Sequence, residues 1–297
     1  MDAKEIKRAI ESVRNIWKLT GALETLAALK MKKAQKIALL SRPFSEKIAQ
    51  ILKEIDYCRL EEKNIFFDKL TGNQKNKVLA MVLASDKGFC GSFNQNVLKF
   101  SEKMIKEMKK EKEVDILPVG KKSIFYFRER KYKLVQNFSG IGDFVEIEDV
   151  KMISDFLVNV FLQNKYQEIH LFYTNFISTF LQKPKSIKLL PLDANYLREF
   201  CRLEQEASPK KEKDFLIEPS RSQLFEEIVP QLVEYLIYQA VLEGNASEHS
   251  ARMMAMRNAS ENAQEKVGEL NLVYNKARQE QITNEVCEVS SAKEVLG

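Results

Sequence analysis

The feature that most constrains this chain is an apolar stripe near its C-terminal end. Stepping alternately by four and three from Ile228 reaches Leu232, Tyr235, Gln239, Leu242, Ala246, His249, Met253, Met256, Ser260, Ala263, Val267, Leu270, Tyr274 and Ala277, and twelve of these fifteen positions are apolar. A repeat of 3.5 residues is the period of helices wound into a left-handed coiled coil. Pro219-Ser220 supplies the start, with Ser220 as the cap, and Pro230 should bend the first turns. From Ser220 to about Ser290 such a helix is on the order of 100 Å long. A globular domain drawn from a chain of 297 residues cannot bury that length alone.

The N-terminal end carries a matching stripe. Ile6, Ile10, Val13, Trp17, Thr20, Glu24, Ala27, Met31, Ala34, Ala38, Ser41, Ser45, Ile48, Leu52 and Ile55 follow the same alternation. Glu24 interrupts it, with Leu23 beside it, and small residues in its middle let a partner helix approach closely. Gly21 and Pro43 are its weak points, and a kink is expected near residues 40–43. If the two helices pair antiparallel and Ile55 lies near residue 221, then residue 1 falls opposite about residue 275. The apolar stripe ends at Ala277 and the next positions are Gln281 and Asn284. Residues 278–297 are then expected to project as a single helix. A lone helix of that length is marginal in water, so another protein should surround it.

Between the stripes the period changes. Lys77 to Ser85 is a continuous apolar run of strand length, followed by the glycine turn of Gly88 and Gly91 and an amphipathic stretch from Asn94 to Lys110. Val114–Val119 and Glu168–Tyr173 read as strands, Val150–Asn164 as a helix, and Thr179–Leu190 as an edge strand because Pro184 cannot donate to a ladder. Fully apolar strands alternating with helices indicate an α/β layer with parallel pairing. The polar EQEASPKKEKD run, Glu204 to Asp214, is a link. The expected organisation is an N-terminal coiled-coil helix over 1–58, an α/β domain over 70–195, a linker or foot over 196–219, and a C-terminal helix over 220–290 with an unpaired tip from about 278.

Composition excludes several classes of function. The chain is 44% apolar and 30% charged, with a mean hydropathy of −0.33. Its apolar runs, such as Val78 to Ala84, fall far short of the ~20 residues of a membrane helix. No apolar core follows the first basic residues, and acids interrupt them, so neither a secretory signal nor a transit peptide is indicated. Cys58, Cys90, Cys201 and Cys287 show no CxxC spacing and only two histidines exist, which argues against a disulfide framework or a zinc site. Residues 1–55 hold twelve Lys/Arg against six Asp/Glu. No aromatic stacking set or nucleic-acid motif accompanies that excess, so no nucleic-acid partner is expected. Lys30, Lys32, Lys33 and Lys36 cluster within two turns, equally as a solvated face or as a track for an acidic partner.

The run SDKGFCGSFN, Ser85 to Asn94, stands where phosphate loops often stand. It matches neither GxGxxG nor GxxxxGK[ST], and a tight strand-to-helix turn is the favoured reading over a nucleotide site. Neither His170, on a strand, nor His249, on the stripe, has an evident link to Cys90, and His249 reads as an interhelical hydrogen-bonder. The acids Asp56, Glu61 and Glu62 form no general acid–base constellation. Nothing in the chain supports an enzyme.

Three segments together resemble the gamma subunit of F-type ATP synthases. KEIKRAIESVRNIWKLTGALETLAALKMKKAQ is similar to the family's KxIxxRIxSVxNTxKITKAMxMVAxxKxxxA, and SDKGFCGSFN to its SDRGLCGxxN. NASEHSARMMAMRNASENAQEKVGELNLVYNKARQEQITNEVCEV is similar to ASExxARMxAMxxATxNAxxxIxxLxLxYNKxRQxxITxELxEI, and FLIEP at Phe215–Pro219 resembles the segment before the family's long C-terminal helix. The resemblance covers essentially the whole chain.

The resemblance implies an antiparallel coiled coil of the two terminal helices with a Rossmann-like α/β domain between them. It implies a non-catalytic rotor shaft whose tip turns inside a hexameric sleeve of alpha and beta subunits. Catalytic sites, ATP and magnesium belong to those subunits, so this chain is expected to hold no catalytic residue, cofactor or metal. Contacts with the sleeve carry over to Arg278, Gln279 and Thr283 in the NKARQ and IT segments. Leu23 is expected to face the acidic lever loops of the beta subunits, with Lys30, Lys32 and Lys33 as electrostatic neighbours. Phe215 and Ile217 belong to the foot, near the epsilon subunit and the membrane rotor ring. The chain departs from the family at Trp17, where a polar residue is usual, and at Gly21-Ala22-Leu23, which replaces Lys-Ala-Met. No cysteine-paired insertion of the light-regulated type is present. With the start at Met1, this leads to the expectation of a peripheral protein at the cytoplasmic face of a bacterial plasma membrane. Two other readings stay open here: a free coiled-coil adaptor, and a nucleotide-binding enzyme built on the middle domain.

Overall fold

The computed structural model describes residues 3–54, 66, 76–192 and 221–296, with side chains over 3–38, 66, 76–192 and 226–290. Phe215, Ile217 and the whole expected 196–219 link lie outside the described residues.

Strand β1 (Lys77–Leu83) is apolar throughout because both of its faces are covered. Val78, Ala80 and Val82 pack with Val97, Leu98 and Ile105 of α2 (Phe93–Met108) and Phe127 of α3 (Lys121–Glu129). Leu79, Met81 and Leu83 point the other way, into a cluster with Ile153, Leu157 and Phe161 of α4 (Ile147–Leu162). Val229, Leu232, Val233, Leu236, Ile237 and Val241 of α5 (Arg221–Leu296) complete that second layer. Burying one such Leu, Ile or Phe contributes about 1.5–3 kcal/mol.

The sheet has the order β2-β1-β3-β4, with β2 spanning Glu113–Val119, β3 Glu168–Ser178 and β4 Leu181–Leu190. The pairs β1·β2 and β1·β3 are parallel as the alternation of strands and helices predicts, whereas β4 folds back antiparallel on β3. The sheet is therefore mixed. A turn of a few residues allows only the antiparallel return, since a parallel one needs a crossover of a dozen or more. Helix α3 was not expected from the sequence. Its nine residues, KKSIFYFRE, make about two and a half turns, fewer than the window over which an apolar period is read.

Both edges of the sheet are shielded. Backbone bonds from Val135 N to Ile116 O and from Phe138 N to Pro118 O lay residues 133–138 along β2. On β4, Pro184 donates nothing and Lys183 and Lys185 stand exposed, features that discourage pairing with another chain. At the amino ends of the strands, buried Asp115 is held by Lys77 Nζ at 3.0 Å, Lys133 Nζ at 3.3 Å and the Tyr166 hydroxyl at 2.9 Å. A buried carboxylate is tolerated only with such partners.

The first helix, α1 (Ala3–Glu54), runs through Pro43 without a break. Contacts divide the chain into two units, one of residues 29–251, holding the sheet, and one of residues 1–28 with 252–297. In the second unit, Ile6, Ile10, Thr20 and Ala27 are buried on α1, as are Met256 and Ala263 on α5. A Cβ on Gly21 would meet Ser260 Oγ at 3.9 Å, and the Glu24 carboxylate adds to the field on Arg257. Position rises by three on α1 as it falls by three on α5, so the helices run antiparallel here. The register differs from the expected one. Pairing residue 1 with residue 275 would set Gly21 against about residue 255, but Ser260 faces it. A stripe of uniform small and apolar residues does not distinguish between neighbouring turns, and the fit of Gly21 against Ser260 does.

Candidate functional site

The expected contact residues fall into two groups. Leu23 is half-buried, and Arg278, Gln279 and Thr283 are exposed on α5, where Thr283 Oγ1 donates to the Gln279 carbonyl at 2.9 Å. That bond is the back-bonding of a helical threonine and leaves the side of the helix open. Every residue from Arg278 to Ser290 is exposed, including Ile282, Val286 and Val289 at helical spacing. On α1, Ile16, Leu19 and Leu26 are also exposed, and with Leu23 they form a second row at steps of three, four and three. The sequence reading named only Leu23 of this row. Its signal lay beside the stronger buried stripe and was absorbed into it.

The three lysines separate. Lys32 and Lys33 are exposed and Lys30 is half-buried, and of the three Lys30 and Lys33 engage the loop before α4. Lys30 Nζ lies 2.6 Å from Asp143 Oδ2, and Lys33 Nζ stands 3.5 Å from the centre of the Phe144 ring. Asp143 also takes Lys87 Nζ at 3.3 Å, and its Oδ1 lies 3.4 Å from His249 Nε2 on α5. Asn245 of α5 donates to the Gly142 carbonyl at 3.2 Å. One loop thus gathers α1, the turn after β1, and α5. Burial alone would raise the Asp143 carboxyl, but the Lys30 hydrogen bond and the charges of His249, Lys30 and Lys87 outweigh it and hold the group below its ordinary value. Asp143 and Phe144 carried no signal in the sequence, because their partners are up to 113 residues away. His249, read as an interhelical hydrogen-bonder, faces this loop carboxylate.

The SDKGFCGSFN run forms a closed turn. Asn94 Oδ1 accepts from Ser85 N at 3.0 Å, its Nδ2 donates to Ser85 Oγ at 2.8 Å and to Cys90 Sγ at 3.1 Å, and Ser85 Oγ donates to the Lys87 carbonyl at 2.6 Å. Asp86 accepts from Lys121 N at 2.7 Å and Gly140 N at 2.8 Å. Lys121 is the first residue of α3, so the chain's own carboxylate occupies the place a bound anion would take at that helix start. Phe89 and Gly91 adopt positive φ, 60° and 55°, which the tightness of the turn imposes.

A family model described as ATP synthase matches residues 2–296. The ATP synthase gamma chain of Pelotomaculum thermopropionicum is 32% identical over 286 residues, covering 96% of each chain. That of Dehalococcoides mccartyi strain CBDB1 is 36% identical over 284 residues, covering 96% of this chain and 95% of the relative. Among solved structures, a chain of the Tetrahymena thermophila mitochondrial ATP synthase central stalk and c-ring has a TM-score of 0.59 at 23% identity, over 82% of this chain and 99% of that one. A chain of the Euglena gracilis mitochondrial ATP synthase, in a structure of OSCP, F1 and c-ring, has a TM-score of 0.62 at 16% identity, over 99% of this chain and 94% of that one. At these identities the structures speak for the fold.

Proposed function

The chain belongs to the ATP synthase gamma-chain family, and from that premise we propose that it is the rotating central shaft of an F-type ATP synthase. It turns with the membrane ring, and its turning cycles the catalytic sites of the beta subunits, coupling ion translocation to ATP synthesis or hydrolysis. It supplies no catalytic group itself. The observation that carries this reading is the uniform exposure of residues 278–290. Carried toward the N-terminus, the pairing of Gly21 with Ser260 and Glu24 with Arg257 sets Ala3, the first described residue of α1, against Arg278. Beyond that pairing the row Ile282, Val286 and Val289 has its apolar side exposed. A single helix of this length is marginal unless something covers it. A sleeve of alpha and beta subunits is that cover, contacting Arg278, Gln279 and Thr283.

The row Ile16, Leu19, Leu23 and Leu26 offers a second apolar contact to the same subunits, and exposed Lys32 offers a charge to acidic lever loops. Lys30 and Lys33 act differently. Through Asp143 and Phe144 they fasten α1 to the sheet domain, so twist applied to that domain is passed to the helix. The foot, with Phe215 and Ile217, would meet the epsilon subunit and the ring. No described helix is long and apolar enough to cross a membrane, and the proposed place is peripheral, at the cytoplasmic face of a bacterial plasma membrane.

Co-expression with alpha and beta subunits tests the reading. The expected result is a complex with ATPase activity whose coupling to ion pumping falls when residues 278–297 are deleted. A chain that never co-purifies with those subunits, or a deletion that leaves coupling untouched, overturns it.

A further inference from the structure

Strand β3 pairs with β1 only from Glu168 to Phe172, yet it continues to Ser178 with β4 still beside it, Asn175 opposite Lys183 and Ser178 opposite Leu181. The end of this hairpin is therefore a two-stranded arm that extends past β1. Two strands alone are marginally stable at best. Here α5 holds them. The buried Ser250 hydroxyl donates to the Thr179 carbonyl, Gln182 Nε2 donates to Ser250 Oγ at 3.3 Å, and the buried Ser247 hydroxyl faces the Thr174 carbonyl at 3.5 Å. Gln182 Nε2 also reaches the Thr179 carbonyl at 2.8 Å, and Ser178 Oγ accepts from Leu181 N at 3.1 Å, which closes the turn. Thr174 lies at Ser247 and Thr179 at Ser250, so the anchored arm follows α5 in that helix's N-to-C direction.

The tip of the arm serves neither its turn nor the core. Thr179 and Phe180 join the two strands, at positions that ordinarily carry glycine, asparagine or another polar residue. Phe180 is 78% exposed, Ile177 50% and Leu181 44%. Single exposed apolar residues are common, but three at the end of one anchored arm form a patch. From Ile169 to Leu192 the hairpin carries Lys183, Lys185 and Lys188 and no Asp or Glu. Lys183 and Lys185 are exposed. The surface that complements this tip is apolar at its centre with carboxylates around it. Pro184 removes a backbone donor from β4, so side chains make the contact and no strand is added to the sheet.

We propose that this tip docks on such an acid-rimmed apolar patch of the beta subunits, the partners to which the shaft reading assigns acidic loops; the proposal rests on that reading. In it the membrane ring lies at the foot, before α5 begins, and the sleeve lies along the later part of α5. An arm that follows α5 forward points toward the sleeve and away from the lipid surface. The arm stands on one side of α5, so it engages one member of a ring of like subunits at a time, and rotation passes it to the next. Residues 278–290 differ, because every one of them is exposed.

Site-specific photo-cross-linking tests the contact. The photoreactive residue p-benzoylphenylalanine replaces Phe180 in the full chain, which is then assembled with alpha and beta subunits. Phe180 is exposed, so folding should be unaffected, as circular dichroism will show. Irradiation should join position 180 to a beta-subunit segment that holds Asp or Glu beside apolar residues. The yield should fall about threefold or more between about 0.05 and 0.5 M salt, because salt screens the charges. Lys183→Glu with Lys185→Glu should lower it as far at low salt. The same label in place of Phe125, 62% exposed on α3, should give only background. A complex that forms without a cross-link from position 180, a yield that ignores Lys183 and Lys185, or a yield no higher than that from position 125 overturns the proposal and leaves the shaft reading standing. Preferential capture by vesicles of phosphatidylglycerol and phosphatidylcholine also overturns it. A chain that forms no complex overturns the shaft reading, and this contact with it.

Discussion

Lys30 Nζ lies 2.6 Å from Asp143 Oδ2, which ties the first helix of the chain to a loop 113 residues later. The same carboxylate takes Lys87 and faces His249, so removing its charge loosens three elements at once. Asp143→Asn keeps the shape and is expected to cost about 1–3 kcal/mol at neutral pH, read from urea denaturation of the full chain. The Asp143 carboxyl is depressed in the folded chain, so its contribution is present above the unfolded value of 3.8 and fades as pH falls through the lower folded one. The gap between wild type and variant should therefore close below about pH 4. A gap that ignores pH would show that the charge is irrelevant.

Glu168 provides a second acid-sensitive point. A hydrogen bond with His170 at 3.2 Å lowers its carboxyl, burial opposes this, and the 2.6 Å pair with Lys112 lowers it further, to about 2. The stabilisation is present above an ordinary value of 4.5 and is lost between there and about 2. Glu168→Gln should remove about 2–3 kcal/mol at pH 7 and make stability flatter across that acid range. An unchanged acid limb in the variant would refute the assignment.

Two glycines should respond oppositely to the same substitution. At Gly21 a new Cβ meets Ser260 Oγ at 3.9 Å, ordinary contact, so Gly21→Ala should raise the melting temperature through a gain of up to about 1 kcal/mol. At Gly120 the φ is +91° and a Cβ would lie 1.9 Å from the Ala84 carbonyl oxygen. Backbone cannot yield as a side chain tip does, so Gly120→Ala should fold poorly or lose several kcal/mol, about 3 or more. Circular dichroism melts of both variants decide the matter; equal effects would contradict the contacts described.

Deleting residues 278–297 should leave the melting of the isolated chain within about 0.5 kcal/mol of wild type, because every residue from Arg278 to Ser290 is exposed. A large loss would mean that the tip packs against the rest of the chain.

Much of this architecture can be read from residue order. Most positions of both stripes are buried or half-buried, from Ile6 and Ile10 through Ala27 to Ala34 and from Leu232 to Ala263, because amphipathic period is a local property of the chain; Trp17, which the first stripe also includes, is exposed. Strands β1 and β2 are legible for the same reason, as apolar runs bounded by turns. Helix α3 is not, since its nine residues make only about two and a half turns, too little periodicity to rise above chance. The closed turn at Ser85–Asn94 shows its glycines in the sequence but not Asp86 at the start of α3, which depends on how the strands are ordered.

By itself the sequence determined that two long helices flank an α/β layer, and which family the motifs match. Tertiary structure decided three further things: that Ser260 faces Gly21, that Asp143 joins Lys30, Lys87 and His249, and that Lys33 rests on Phe144 instead of facing outward alone. The reason is physical. A period of 3.5 residues states which side of a helix is apolar but is unchanged by sliding the partner one repeat. Only the fit of particular side chains, and charges brought together from distant segments, selects one arrangement.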